Sequence, residues 1–518
     1  MKTSTPFNFS ASSRGARLPQ FVAISAIAAI AMVSGGCTVG PNFKPPIADA
    51  PAAFADWHGG SASLAPAPGT AAGADAAALA GPQDWSMFGD SVLDTLESRA
   101  LAANQDLQIA ALRFAQSRAQ RSVVASLQGP RVDGSAAATR LRQSENGETR
   151  RLLDAFSPAN QDELIQVLSE PHDFYQAGFD ASWELDLWGR VRRSIESADA
   201  DVANARAMLA QVQLSVQAEV ARNYFDLRAV QRQIALSRDD IAAADETLEL
   251  VGARADGGLT TDLDVERQRA QTAELRAQLP QLQAQETQLA NRLTLLLGEH
   301  PGALQAELAA PARLPLATLP DLSLGLPSSV ALRRPDIQAA EAQLHAATAN
   351  IGVAVGDMYP RITLGAGFSM QSVDAGSFTD WGSRQWSIGP SLQIPIFDSG
   401  RRRATVTLRE LQQQQAAVSY QQTVLKAWQE IDDALSVYSA ERQRNGALVV
   451  RERSSRNALE LARVRYEHGL TDFLVQLDAQ RTWLQAQREY TESSSRLASN
   501  LVAVSKSLGG GGKIDSPR

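Results

Sequence analysis

The fold is decided by the run Tyr175-Gln176-Ala177-Gly178-Phe179-Asp180-Ala181-Ser182-Trp183-Glu184-Leu185-Asp186-Leu187. Its odd positions are apolar, and its even positions carry Gln, Gly, Asp, Ser, Glu and Asp. A period of two is what a strand needs when one face is apolar and the other wet. A second such run alternates Trp386, Ile388, Pro390, Leu392, Ile394 and Ile396 with Ser387, Gly389, Ser391, Gln393 and Pro395. Each run has an upstream partner, Pro130–Leu141 and Pro360–Ser372, the first rich in Ala and only weakly alternating. The connections Arg142–Asp173 and Val373–Gln385 are long and polar. Strands of this length match the ~9–11 residues that a tilted strand needs to cross a bilayer. Four strands cannot close on themselves, and an open edge in lipid leaves backbone groups unpaired at several kcal/mol each. Several copies must therefore share one barrel, and two, three or four copies all meet that requirement.

The two runs belong to an internal duplication. Asn104-Gln105-Asp106-Leu107-Gln108-Ile109-Ala110 recurs 230 residues later as Arg334-Pro335-Asp336-Ile337-Gln338-Ala339-Ala340, and Gly129-Pro130-Arg131-Val132 recurs as Tyr359-Pro360-Arg361-Ile362. Beyond Tyr175 the offset falls to 211 and holds. Gly189-Arg190 aligns with Gly400-Arg401, Glu219-Val220 with Glu430-Ile431, and Gly258-Leu259-Thr260 with Gly469-Leu470-Thr471. The first half thus carries 19 extra residues, all between Val132 and Tyr175.

After each second strand the sequence turns helical. Arg190 to Ala255 contains no proline and one glycine, Gly252. At ~1.5 Å per residue that stretch reaches about 100 Å. Gly257-Gly258 turns the chain, and Thr261–Leu297 returns as helix with an expected kink at Pro280. The second half repeats the plan with Arg401–Glu467, an expected break near Asn445-Gly446, a turn at His468-Gly469, and Thr471–Leu508. From the helices alone a coiled-coil rod tethering two membranes would serve. The amphipathic strands argue instead for a channel.

Only 6% of residues are aromatic, which suits long helices better than a thick globular core. Residues 1–36 carry Lys2, Arg14 and Arg17 with no acid, and Leu18–Val33 is nearly all apolar, as in a signal peptide. The whole chain has a net charge of −8, and without that segment −11, which disfavours a nucleic-acid partner. Cys37 is the sole cysteine, so neither a disulfide nor a thiolate metal cage can form within one chain. His58, His172, His300, His345 and His468 are scattered without ligand spacing. No metal or cofactor is expected. Carboxylate pairs such as Asp262/Asp264 and Glu184/Asp186 lack any nucleophile, phosphate loop or ligand cluster beside them, so an enzyme is not expected either.

Ser34-Gly35-Gly36-Cys37 resembles a bacterial lipobox, with Ser34 where an aliphatic residue is usual. The resemblance implies acylation at Cys37, and Thr38 at the next position implies sorting to the outer membrane. Gly36-Cys37-Thr38-Val39-Gly40-Pro41-Asn42-Phe43, Trp85 with Phe88-Gly89-Asp90, Leu332-Arg333-Arg334-Pro335-Asp336-Ile337 leading to Glu341, Tyr359-Pro360, and Leu477-Asp478-Ala479-Gln480-Arg481 together resemble the NodT/OprM-type outer-membrane efflux lipoproteins of the TolC-like superfamily. The resemblance covers about residues 41–508. It implies a homotrimer whose 12 strands form one barrel continuous with an α-helical periplasmic tunnel. It also implies a passive exit channel working with a periplasmic adaptor and an inner-membrane transporter. The expected organisation is 1–36 signal peptide, 37–91 lipid-anchored segment with a flexible insertion at 59–81, 92–298 first repeat, 299–326 equatorial linker, 327–508 second repeat and 509–518 disordered tail.

Three sets of site residues follow. The turns Gly258-Leu259-Thr260 and Gly469-Leu470-Thr471 are, by resemblance, docking tips for the adaptor, with each exposed Leu as apolar anchor. Leu474, Asp478 and Arg481 are spaced four and three apart on one helix face and match the positions at which OprM-like channels close their periplasmic mouth. The first repeat has Leu263, Arg267 and Ala270 there instead. Lastly, Arg190, Arg192 and Arg193 and their counterparts Arg401, Arg402 and Arg403 start helices, where cations oppose the macrodipole. They are expected at the membrane interface, touching anionic headgroups of outer-membrane lipid.

Overall fold

A computed structural model describes residues 38–46, 88–147, 161–309 and 333–510. The expected signal peptide at 1–36, Cys37, the expected insertion at 59–81, Trp85, most of the expected linker and the tail after Gly510 lie outside the described residues. In chain order the elements are helices α1 (Ser91–Ala103) and α2 (Gln105–Ala125), strand β1 (Arg131–Leu141), α3 (Gln161–Ser169), β2 (His172–Glu184), α4 (Arg190–Asp256) and α5 (Asp262–Leu296). The second half adds α6 (Pro335–Gly356), β3 (Arg361–Ser372), β4 (Arg384–Gln393), α7 (Arg401–Glu467) and α8 (Phe473–Ser507). No described helix is long and apolar enough to cross a membrane.

Two compact units take their chain from both halves. The first combines Met1–Phe43, Arg121–Ala198 and Ala347–Gln413, and the second Lys44–Gln120, Asp199–Ala346 and Gln414–Arg518. The first unit holds an antiparallel sheet in the order β1-β2-β3-β4. Its register puts Gly134, Phe179, Phe368 and Trp386 in one cross-strand row, and Asp133, Asp180, Gly367 and Ser387 in the next. Successive rows point to opposite faces, so aromatic and aliphatic side chains gather on one face and Asp, Ser, Gly and Gln on the other. Phe179, Trp386 and Ile388 remain more than 60% exposed within the chain, which marks the apolar face as one made for an environment other than water.

Strand boundaries differ from the sequence expectation at both ends. His172, Asp173 and Phe174 extend β2 backwards by pairing with Leu141, Arg140 and Thr139. Forwards, β2 stops at Glu184, because the Asp186 carboxylate accepts from the Val191 and Arg192 amides (3.0 and 2.9 Å) and draws the chain into the cap of α4. Strand β4 stops at Gln393, where Pro395 can offer no ladder donor. Within the first long loop lies α3, which alternation gave no means of seeing.

The second unit is helical. Its main core gathers Leu93 and Leu96 of α1, Val220, Tyr224 and Phe225 of α4, Leu293 of α5, Ile431 and Leu435 of α7, and Leu497 and Leu501 of α8. The Phe88-Gly89-Asp90 motif acquires a structural role here. Phe88 packs on Phe225 with ring centroids 4.8 Å apart. Asp90 caps α1 through the Val92 and Leu93 amides and accepts from the Tyr224 hydroxyl at 2.6 Å. Burial, followed by this carboxylate, pushes the Tyr224 phenol up to about 12.

The expected break at Asn445-Gly446 is absent, and α7 runs unbroken from Arg401 to Glu467. The Asn445 side chain donates to Ser493 and Ser494 (3.2 Å each), tying that turn to α8. Tertiary packing outweighs the ~1 kcal/mol that an interior glycine costs. Helix α5 likewise continues through Pro280.

Candidate functional site

The two helical tips share one backbone design. Gly258 and Gly469 adopt φ +71° and +72°, the left-handed conformation that glycine tolerates without a Cβ penalty. Leu259 donates its amide to the Arg254 carbonyl and Leu470 to the Arg465 carbonyl, each at 2.8 Å, while Gly258 and Gly469 donate to Ala255 and Tyr466. This is the paired-bond C-cap that closes a helix end through a left-handed residue. Leu259 and Leu470 are 74% and 67% exposed, so neither is spent stapling its own turn.

Behind the tips the repeats diverge. In the first, the Asp264 carboxylate accepts from Thr260 and Thr261 hydroxyls (2.8 and 3.2 Å) and pairs with Arg267 at 3.4 Å. In the second, Phe473 and Leu477 turn inward to Val251 and Tyr466, and the Arg254 guanidinium lies 4.6 Å over the Tyr466 ring. Leu474, Asp478 and Arg481 take the opposite, exposed face of α8. Arg481 donates its Nε to Gln271 at 2.5 Å rather than to Asp478, and Asp478 has no ion pair among the described residues. The spacing thus brings these three side chains to one surface without neutralising the acid.

At the foot of the sheet, the Arg clusters need correction. Arg193 is 3% exposed, turned into the protein instead of towards lipid. Arg190 makes a two-pronged bond to Glu184 (2.9 and 2.8 Å), and Arg192 pairs with Asp186 at 3.3 Å. These carboxylates explain how cations are tolerated at the start of α4, since they supply the negative charge the helix N-terminus favours. Hydrogen bonding to Glu184 raises the Arg190 guanidinium further above its ordinary value. In the second cluster Arg402 pairs with Asp398 at 2.9 Å, while Arg401 and Arg403 are exposed. A cavity of about 290 Å³ lies at this joint, lined among others by Glu184, Trp188, Tyr359, Arg361 and Arg401. Trp188 stacks on Tyr359 at 4.9 Å and donates to the Pro360 carbonyl. With its acids already answered by guanidinium groups, the cavity is an ion-paired joint between strand and helix. Among the described residues no group of three or more His, Cys, Asp or Glu could hold a metal.

A sheet with one apolar and one polar face, joined to 67-residue helices in a duplicated plan, is the pattern to which known families can be compared. The family model for outer membrane efflux proteins matches residues 96–299 and 326–510. The chain belongs to this family. Among its relatives, outer membrane protein OprJ of Pseudomonas aeruginosa is 31% identical over 484 residues, covering 93% of this chain and 94% of that one. The solvent efflux pump outer membrane protein SrpC of Pseudomonas putida is 29% identical over 483 residues, covering 93% and 97%. Among solved structures, the outer-membrane channel OprN superposes with a TM-score of 0.75 at 33% identity, covering 92% of this chain and 99% of its own. As a member of this family of channel proteins the chain is an efflux channel of the outer membrane. The sequence expectations of family, fold class, channel function and location all agree with that.

One feature of the site escaped sequence reasoning. Residues Thr38–Asn42 are fastened to the foot of the sheet by the buried Arg193, a contact that no local pattern announces.

Proposed function

We propose that this efflux channel is the exit duct of a tripartite pump, a homotrimer that passively conducts small molecules handed over by an inner-membrane transporter through a periplasmic adaptor. The observation that carries the reading is a sheet with an apolar face whose two edges, β1 and β4, have no partner strand among the described residues. Three copies joined edge to edge would give 12 strands with no open edge, which removes the cost of unpaired backbone in lipid. Within the trimer, Leu259 and Leu470 would offer six apolar anchors to adaptor hairpins. Leu474, Asp478 and Arg481 would ring the periplasmic mouth. Acylation of Cys37 would add a lipid anchor, and Arg401 and Arg403 would face anionic headgroups.

The decisive experiment replaces both tip leucines with Glu. Leu259→Glu with Leu470→Glu should abolish export, measured as accumulation of a fluorescent pump substrate in cells, while the purified trimer keeps its mass and thermal stability. Normal export from that variant would refute the docking assignment. A monomeric native mass in mild detergent would refute the trimer.

A further inference from the structure

The amino-terminal segment is held in a built seat. Val39 donates its amide to the Trp188 carbonyl at 3.1 Å. Arg193, reaching up from α4, donates to the Val39 and Gly40 carbonyls (3.3 and 3.5 Å) and to Asn42 Oδ1 at 2.6 Å, with Glu196 taking its remaining arm at 2.7 Å. Gly40, at φ +88°, lies so close to α6 that a Cβ there would sit 2.5 Å from the Gly352 Cα. A Cβ on Gly352 would in turn stand 2.8 Å from the Arg193 side chain. Thr38 packs just as closely on Gly189. A buried guanidinium is stable only when its donors are matched, and here this short segment supplies three of the acceptors. The seat and its occupant complete each other.

We propose that Thr38–Asn42 is a strap for a lipid-bearing terminus, with Arg193 as the positioning residue that clamps it to the junction of β2 and α4. The acyl chains then enter the membrane beside the end of the sheet instead of swinging on a free leash. The role in seating lipid rests on the acylation of Cys37 proposed above. A clamp of this kind also explains why Arg193 is buried while Arg190 and Arg192 of the same cluster are only half-buried. Arg193 corresponds to the duplicated position Ala404, and the second repeat has no terminus to hold.

The test uses the full chain, matured in its own outer membrane and purified in detergent or lipid nanodiscs. Pro41, exposed in mid-strap, is changed to Cys and labelled with a nitroxide. The proposal expects an immobile label with a single immersion depth near the lipid–water boundary, judged by its relative accessibility to oxygen and to a water-soluble nickel chelate. Arg193→Ala should free the label and spread its depth, with the trimer intact. Arg193→Lys, which keeps the charge but loses the fork, should fall between. Asn42→Ala and Gly40→Ala touch only the strap and should raise the mobile fraction several-fold even if the Arg193 variants fold poorly. A mobile label in the parent, or parent-like spectra in both Asn42→Ala and Gly40→Ala, overturns the strap. Mass measurement of the mature terminus separates the two ideas. An unmodified Cys37, whose free thiol would itself take a second nitroxide, overturns acylation and the lipid-seating role together, and a mobile label on an acylated chain overturns only the strap.

Discussion

The two halves of the chain use one backbone plan and opposite electrostatics. At the first tip Asp264 is satisfied locally by two hydroxyls and Arg267, whereas at the second the equivalent position is Val475 and the charges move outward to Asp478 and Arg481. Duplication conserved what a helical hairpin needs, a left-handed glycine and its capping bonds. Divergence then fell on the exposed faces, where a substitution costs the fold little. Asp478, an exposed acid where the first repeat has the ion-paired Arg267, is therefore the place to look for function between protomers.

The largest effect should come from setting the two faces against each other. Asp478→Ala with Arg481→Ala should raise single-channel conductance in planar bilayers several-fold, and Leu474→Ala should add to the leak by less than its separate effect, since ring members share contacts. The mirror variant, Asp264→Ala with Arg267→Ala, should leave conductance at its parental value. Equal conductance in both, with trimers intact, would place the constriction away from α8.

A second comparison concerns how each repeat locks its returning helix. Asn104 and Arg334 are equivalent positions. Asn104 donates to the Leu296 carbonyl at 2.9 Å and Arg334 to the Ser507 carbonyl at 2.7 Å, carbonyls that are themselves equivalent. Arg334 also bonds Asp336 and Glu430 at 2.7 and 2.6 Å. Arg334→Ala removes charged hydrogen bonds to two half-exposed carboxylates, one of which keeps Lys426 at 3.8 Å, and should cost about 1.5–3 kcal/mol in denaturant unfolding, against about 1 kcal/mol for Asn104→Ala. Similar losses would mean that the ion pairs contribute little beyond the shared bond.

The smallest effect separates Asp240 from its counterpart Arg451, which is paired with Glu489. Burial, opposed by Arg488, pushes the Asp240 carboxyl up to about 6. Because its folded value lies above the unfolded one, the ionised acid weakens the fold at neutral pH, and protonation relieves that cost as pH falls. Asp240→Asn should raise the melting temperature by about 2 °C above pH 6, with the gain fading towards pH 4. A gain independent of pH would show that ionisation is not its cause.

Much of this was legible in the sequence because its signals are local. Period-two alternation exposed β2 and β4 and, through them, their upstream partners, and helical runs punctuated by glycine turns gave the long helices to within a residue or two. Constant offsets revealed the repeats. Local rules failed where a side-chain hydrogen bond that no periodic pattern encodes intervened, near in sequence or far. Ser493 and Ser494 carry α7 through Asn445-Gly446, and Asp186 ends β2 by capping α4.

The Arg residues divide the same way. By itself the sequence determined that cations begin α4 and α7, that the tips end in glycine and leucine, and that Leu474, Asp478 and Arg481 share a face. Each of these depends only on spacing along a helix. Tertiary structure alone decided that Arg193 is buried while Arg401 and Arg403 stay exposed. The reason is that a guanidinium can leave water only where acceptors are already waiting. Those acceptors, the carbonyls of Val39 and Gly40 and the side-chain amide oxygen of Asn42, lie 151 to 154 residues away along the chain.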